Sequence, residues 1–274
     1  MAAGTGWERS RRVHFNEIVE TYDKVRWDYP SELYEDIFKY CGIGKRAIEI
    51  GAGTGRSTAP FLNADYDITA MELGENMAEF LANKFGGNKN FSVVNTTFED
   101  AVLKEDGGYD LIYAASAFHW VDAEIGCPKV FRLLKTGGVF ALFRNNAQPS
   151  DGEPLYEAIQ AVYEKHYNSY YTSNKRPIRQ SHDDFWKPTG LHRSFRFDDM
   201  EQYGFVDITM KLYDVVHTYT ADEYISLMDT YSDNRALPEE NRANLYKGVH
   251  DAIMKHGGIH KLDCTFQLYM GRKP

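Results

Sequence analysis

Basic residues are in short supply in this chain: 31 lysines and arginines stand against 40 aspartates and glutamates, for a formal net charge of -9. A surface of that sign repels a phosphate backbone, and the one compact basic run, Lys-Arg-Pro-Ile-Arg at 175–179, is too short to reverse it. Nucleic acid is therefore not an expected partner. Cysteine is scarce as well: Cys41, Cys127 and Cys264 are odd in number, far apart and without Cys-x-x-Cys spacing. Such usage suits free thiols in a reducing compartment. No stretch approaches the roughly eighteen consecutive apolar residues of a membrane span, and the basic N-terminal residues are followed by no apolar leader core. A cytoplasmic protein without a membrane span is the expectation, its first dozen residues forming a mobile tail. His182, His250, His256 and His260 fall in no strong ligand spacing, so no metal is expected.

What the chain does have is length for one main domain, and aromatics in surplus, with 19 tyrosines and 16 phenylalanines among 274 residues. Helical spacing predicts helices over 15–22 and over 31–40, the second capped by Ser31 and ended by Gly42. Short apolar strands then alternate with helices: strands at 47–50, 66–72, 91–96, 109–116 and 137–144, helices at 58–63, 76–85 and 124–134. Alternation at that interval implies a doubly wound α/β fold, Rossmann-like, with a mostly parallel sheet. Between 145 and 199, Pro149, Pro154, Pro177 and Pro188 break the pattern among crowded aromatics, as in a cap. A strand over 204–220, helices over 221–231 (capped by Thr220) and 238–255, and an alternating last strand complete the chain. That last strand lacks a crossover helix of its own and is expected to lie antiparallel at one edge, giving seven strands in all.

The stretch Ala-Ile-Glu-Ile-Gly-Ala-Gly-Thr-Gly-Arg, 47–56, runs from a buried strand into alternating glycines. Glycines there permit positive backbone dihedrals and let a ligand approach the main chain. A dinucleotide fingerprint wants Gly-x-Gly-x-x-Gly, but here the third glycine, Gly55, falls one place early and Arg56 follows it. Glu72 ends the second strand about twenty residues beyond Gly51, where a carboxylate can accept hydrogen bonds from both ribose hydroxyls of an adenosine. That placement is shared by NAD enzymes and leaves both cofactors open.

The pattern Glu-Ile-Gly-Ala-Gly-Thr-Gly resembles the first motif of the class I S-adenosylmethionine-dependent methyltransferases. The resemblance extends over residues 22–144, through Tyr-Asp-Leu-Ile-Tyr-Ala-Ala-Ser-Ala-Phe-His-Trp-Val-Asp and the turn Leu-Lys-Thr-Gly-Gly, where Thr136 replaces the usual proline. The Ala-Phe-His-Trp-Val-Asp run is similar to a small-molecule subset that includes relatives of trans-aconitate methyltransferase. It implies S-adenosyl-L-methionine as cofactor, S-adenosyl-L-homocysteine as product and a small-molecule methyl acceptor. Glu49, at the start of the motif, is then expected near the amino-acid end of the cofactor, although a solvated strand-end charge would look the same. Gly51, Ala52, Gly53 and Gly55 form the loop. Met77 packs against the adenosine, Thr97 and Phe98 flank the adenine, and Ser116 faces the cofactor.

On the substrate side the resemblance implies Tyr22 and Arg26, from Tyr-Asp-Lys-Val-Arg-Trp-Asp-Tyr-Pro, together with His119 and Trp120. His119 is the candidate catalytic base or hydrogen-bond donor. A cap over 148–200 and 221–258 would add aromatic walls from Tyr167, Tyr170, Tyr171, Phe185 and Trp186, or would pack those rings into a small core of its own. The expected layout is thus one methyltransferase domain over 1–274. It comprises a helical segment at 15–40, a cofactor core at 45–147, that cap, and closing strands at 204–220 and 261–273. O-methylation of a carboxylate is the leading chemistry; an NAD(P)-dependent oxidoreductase and a non-catalytic S-adenosylmethionine-binding protein are the alternatives.

Overall fold

The structure is a computed structural model and describes residues 18–103, 106–171, 176–186 and 199–274. The expected mobile tail, residues 15–17 of the first helix, Lys175 and the 187–198 part of the expected cap lie outside the described residues. Seven strands form: β1 (Arg46–Ile50), β2 (Asp67–Glu72), β3 (Phe91–Asn95), β4 (Tyr109–Ala115), β5 (Leu134–Ala147), β6 (Val206–Thr220) and β7 (Ile259–Arg272). The helices are α1 (Val19–Val25), α2 (Ser31–Cys41), α3 (Thr58–Asn63), α4 (Glu75–Phe85), α5 (Ala123–Leu133), α6 (Pro154–Tyr163), α7 (Ser169–Tyr171), α8 (His182–Trp186), α9 (Asp199–Gln202), α10 (Ala221–Met228), α11 (Ser232–Arg235) and α12 (Glu239–Lys255).

The strands form one sheet in the order β3-β2-β1-β4-β5-β7-β6. The first five pair in parallel. The last strand runs the other way: Gln148 N–H donates to Asp263 O, whereas Gly137 N–H donates to Lys273 O, so β7 is antiparallel to β5; it does not lie at the edge as expected, because β6 pairs outside it and takes that position. Chain order reverses between β1 and β4, and in such sheets the crevice at that switch point receives ligands.

The chain divides into two units. Unit 2 holds residues 28–146, 181–213 and 266–274, insofar as they are described. One face of its sheet buries Ile48, Ile112, Phe140 and Leu142 against Cys127, Val130 and Leu133 of α5. On the other face Phe61 stacks on Tyr113 at 4.1 Å, with Tyr34 edge-on to Phe61. Pro30, not Ser31, is the N-cap of α2; the Ser31 hydroxyl donates to Glu32 instead, and Gly42 ends the helix at φ 76°.

Unit 1 holds residues 18–27, 147–171, 176–180 and 214–265. Its core joins α6, α10 and α12 through Ile159, Leu245, Val249 and Ile253. Gly248 is obligatory at that crossing, because a Cβ there would meet Val162 Cγ1 at 2.6 Å. Thr220 caps α10 through a reciprocal box with Glu223, as its spacing predicts, but the helix stops at Met228 and the chain re-forms as α11. The expected cap is not one body: 181–213 groups with unit 2, and Phe185 is buried in the core of that unit. Trp186, offered as a further wall, has a side chain outside the description.

Candidate active site

The parallel register brings the ends of β1, β2 and β4 together, because Glu49 pairs with both Ala70 and Tyr113. Gly51, Gly53 and Gly55 all adopt positive φ, at 67°, 57° and 80°. An added Cβ at Gly51 would sit 2.6 Å from the Ala117 methyl, so glycine is what lets the first loop meet the loop after β4. At Gly55 it would meet Phe85 Cε2 at 2.3 Å, so that glycine seats α4 against the loop.

Four amides of this loop are engaged within the protein. Gly51 and Ala52 N–H both donate to Met71 O, and Gly55 N–H donates to Ala52 O. Gly53 N–H donates to Glu72 Oε2 at 2.8 Å, and Lys84 Nζ donates to Thr54 O. Arg56, in the position of the late third glycine, is ion-paired with Asp28.

Glu72 also accepts from Gly74 N–H, at 2.8 Å. A carboxylate has about four acceptor positions, so capacity remains for a diol, and the side chain is partly accessible. Burial pushes its pKa up, and the backbone amides counter that. Accessible Gly51 and Gly53 beside Glu72 therefore form a surface suited to an adenosine ligand lacking a diphosphate.

Glu49 is not a solvated strand-end charge. It is 0 % exposed, and its Oε2 accepts from the hydroxyls of Thr58 (2.5 Å) and Tyr113 (3.0 Å). Its Oε1 is buried without a hydrogen-bond partner among the described residues. Burial pushes the carboxyl up to about 8, against the lowering effect of those two hydroxyls. Met77 and Phe98, expected against the nucleoside, have side chains only 1 % and 3 % exposed and belong to the core, because the apolar faces of their elements turn inward. Ala52 is also buried. The Thr97 hydroxyl is occupied with Asp100, whose N–H it accepts.

Lys129 on α5 was not legible in the sequence as a site residue. Its ammonium donates to the carbonyls of Phe98 (2.6 Å), Glu99 (3.1 Å) and Ala101 (2.6 Å), holding the loop after β3.

After β4, Ser116 adopts φ 52°, a left-handed conformation that costs a non-glycine residue about 1 kcal/mol or more. Its hydroxyl bonds with that of Tyr29 at 2.8 Å. A single 3-10 turn, Phe118–Trp120, buries Phe118 and leaves the His119 ring 4.9 Å from that of Trp120. His119 remains accessible to solvent, while crowding by protein atoms and the charge of Arg144 pull its pKa down to about 4. Arg144, from β5, was also missed in the sequence. Its Nε donates to Gln267 at 3.0 Å and it bonds with Tyr269.

The other substrate candidates gather in unit 1. Arg26 lies over the rings of Tyr22 (4.9 Å) and Tyr231 (4.6 Å), and donates to Thr230 O. Tyr170 and Tyr171 pack edge to face at 4.9 Å, with Tyr167 beside Tyr171. Tyr167 and Tyr171 both donate to Asp233, one to the carboxylate and one to the backbone carbonyl. Nothing in the sequence marked Asp233, since the pairing spans more than sixty positions.

Residues 48–140 match the model of a methyltransferase domain. An uncharacterized methyltransferase of Schizosaccharomyces pombe is 24% identical over 242 residues, covering 87% of this chain and 86% of its own. A probable S-adenosylmethionine-dependent methyltransferase of Saccharomyces cerevisiae is 29% identical over 166 residues, 57% of this chain and 56% of that one. Among solved structures, one from Anaeromyxobacter dehalogenans described as a type II methyltransferase superposes with a TM-score of 0.61 at 17% identity, covering 90% of this chain and 98% of that chain. Together these comparisons support an S-adenosylmethionine-dependent methyltransferase, with the family-model match confined to residues 48–140.

Proposed function

We propose that this methyltransferase acts on a small organic acceptor and that the atom methylated is a carboxylate oxygen. The observation that carries the reading is that His119, the only histidine in the post-β4 loop, is exposed within the field of the Arg144 cation, which disfavours its protonated form. An imidazole of that basicity is neutral at neutral pH but a weak proton acceptor. An alcohol or a protonated amine would need a better base before attacking, whereas a carboxylate arrives already deprotonated. The positive charge of Arg144 favours the same anion.

Bound S-adenosylmethionine would supply an activated methyl group on a sulfonium. The protein's part is then to align nucleophile and methyl carbon, since the leaving group is already good. Gly51, Ala52, Gly53 and Gly55 frame the cofactor, Glu72 accepts from its ribose, and Thr97 borders the adenine. Ser116, braced by Tyr29, orients the cofactor side of the post-β4 loop. Glu49, Met77 and Phe98 support this frame from within the protein. His119 and Trp120 border the acceptor in unit 2; Tyr22, Arg26, Tyr170 and Tyr171 are further candidate recognition residues, each within unit 1. A cytoplasmic location and the absence of a nucleic-acid substrate fit the three free cysteines and the net charge of -9.

Isothermal titration with S-adenosylmethionine, S-adenosylhomocysteine and NAD tests the cofactor assignment. The two sulfur compounds bind and NAD does not; binding of NAD alone sinks the reading. Glu72→Ala, which removes the diol acceptor, weakens S-adenosylhomocysteine by about ten-fold or more.

A further inference from the structure

Unit 1 carries a buried acidic corner that methyl transfer itself does not use. Helix α11 presents Asp233 and Asn234, which are 8% and 1% exposed. Tyr167 donates to Asp233 Oδ2, and Tyr171 donates to the Asp233 carbonyl oxygen at 2.6 Å. The second carboxylate oxygen, Oδ1, and the Asn234 amide oxygen are buried without a hydrogen-bond partner among the described residues. The Asn234 amide nitrogen donates to Met228 O at 3.0 Å, which fixes the orientation of that amide.

These two side chains converge on Tyr163, whose hydroxyl feels the charge of Asp233 and bonds with Asn234. Tyr163 and Tyr231 keep part of their surface accessible to solvent, yet burial raises both phenol pKa values.

Two buried acceptors without a donor are costly, and a ligand bringing several N–H bonds removes that cost. A cation gains further from the carboxylate and from the π faces around it. Arg26 does not already fill this need. Its Nη2 donates to Thr230 O and its plane lies over the rings of Tyr22 and Tyr231, while its Nε is buried without a hydrogen-bond partner among the described residues; its charge lowers the Asp233 carboxyl, which burial nonetheless keeps above its ordinary range.

We propose that this corner of unit 1 binds the protonated amine of a small organic molecule, with Asp233 and Asn234 as its acceptors. The corner lies wholly within unit 1, and the inference goes beyond the methyltransferase reading, on which only the loading with S-adenosylhomocysteine rests.

The test uses the full-length protein loaded with S-adenosylhomocysteine and three isosteric probes: tyramine, 3-(4-hydroxyphenyl)propionate and tyrosol. Titration calorimetry or ligand-observed NMR should rank tyramine about ten-fold or more above its acid and alcohol counterparts. Asp233→Asn should erase that preference while leaving S-adenosylhomocysteine binding unchanged. Equal binding of the three probes, or no tyramine binding at millimolar concentration, overturns the inference, and so does a preference that survives in the variant. The wild-type ranking decides the matter even where the variant fails to fold. A wild-type protein that fails to bind S-adenosylhomocysteine would instead overturn the methyltransferase reading, so the two failures are separable.

Discussion

Replacing Glu49 by glutamine should make the protein more stable in base than the wild type, and less dependent on pH. Glu49 is fully buried, and burial pushes its carboxyl up to about 8. In an unfolded chain a glutamate titrates near 4.3, and each unit of difference is worth about 1.4 kcal/mol. Because the folded value is the higher one, the folded state holds its proton longer. The stabilisation is therefore fully present below about pH 4 and is lost as pH rises through about 8. Between roughly pH 5 and pH 8.5 the loss from this single group is about 3 to 4 kcal/mol. Glutamine keeps the shape and can still accept from Thr58 and Tyr113, but it cannot ionise. Urea unfolding of both proteins at the two pH values measures the effect, and the difference between variant and wild type cancels every other titrating group. The variant should gain about 3 kcal/mol on the wild type from acid to base. A difference that is the same at both pH values refutes the argument, and with it the buried, raised carboxyl.

The remaining predictions concern the loops around the site. Gly55→Ala places a methyl at φ 80° and within 2.3 Å of Phe85 Cε2. It should cost about 2 to 4 kcal/mol in thermal unfolding, and an unchanged melting temperature would contradict the close packing of α4 on the loop. Lys129→Met keeps the aliphatic stem but removes the donor shared by three carbonyls at 98, 99 and 101. Hydrogen exchange across 97–101 should accelerate and the Kd for S-adenosylmethionine should rise by about ten-fold, with little effect on melting elsewhere. Unchanged exchange and affinity would make Lys129 a surface ornament of α5.

Much of the fold was legible because period and punctuation are local properties. Strand–helix alternation, the 58–63 helix, the Thr220 cap and the antiparallel last strand all follow from nearby residues, and the structure has them. The glycine loop was legible for the same reason: three alternating glycines announce positive dihedrals before any tertiary contact is known. The sequence also paired that loop with Glu72, because a parallel βαβ unit sets the distance between strand ends.

Which way a side chain turns is a different matter, and there the chain alone was ambiguous. Met77 and Phe98 sit on elements that could have offered them to a ligand, and packing of α4 and of the post-β3 loop took them into the core. Glu49 could have been a solvated charge; only the register with β4 puts Tyr113 beside it and buries it. Ser31 had the chemistry of a cap, but Pro30 holds that position and the hydroxyl turned to Glu32.

Lys129, Arg144 and Asp233 were invisible for one physical reason. Each acts through groups about thirty to more than a hundred positions away, and no local spacing encodes such meetings. The sequence by itself therefore determined the class of fold and the glycine loop, since those depend on backbone freedom and strand period. Tertiary structure alone decided which carboxylates are buried, which loop amides are engaged and which buried oxygens stay unpartnered, because burial is a property of the whole packed chain.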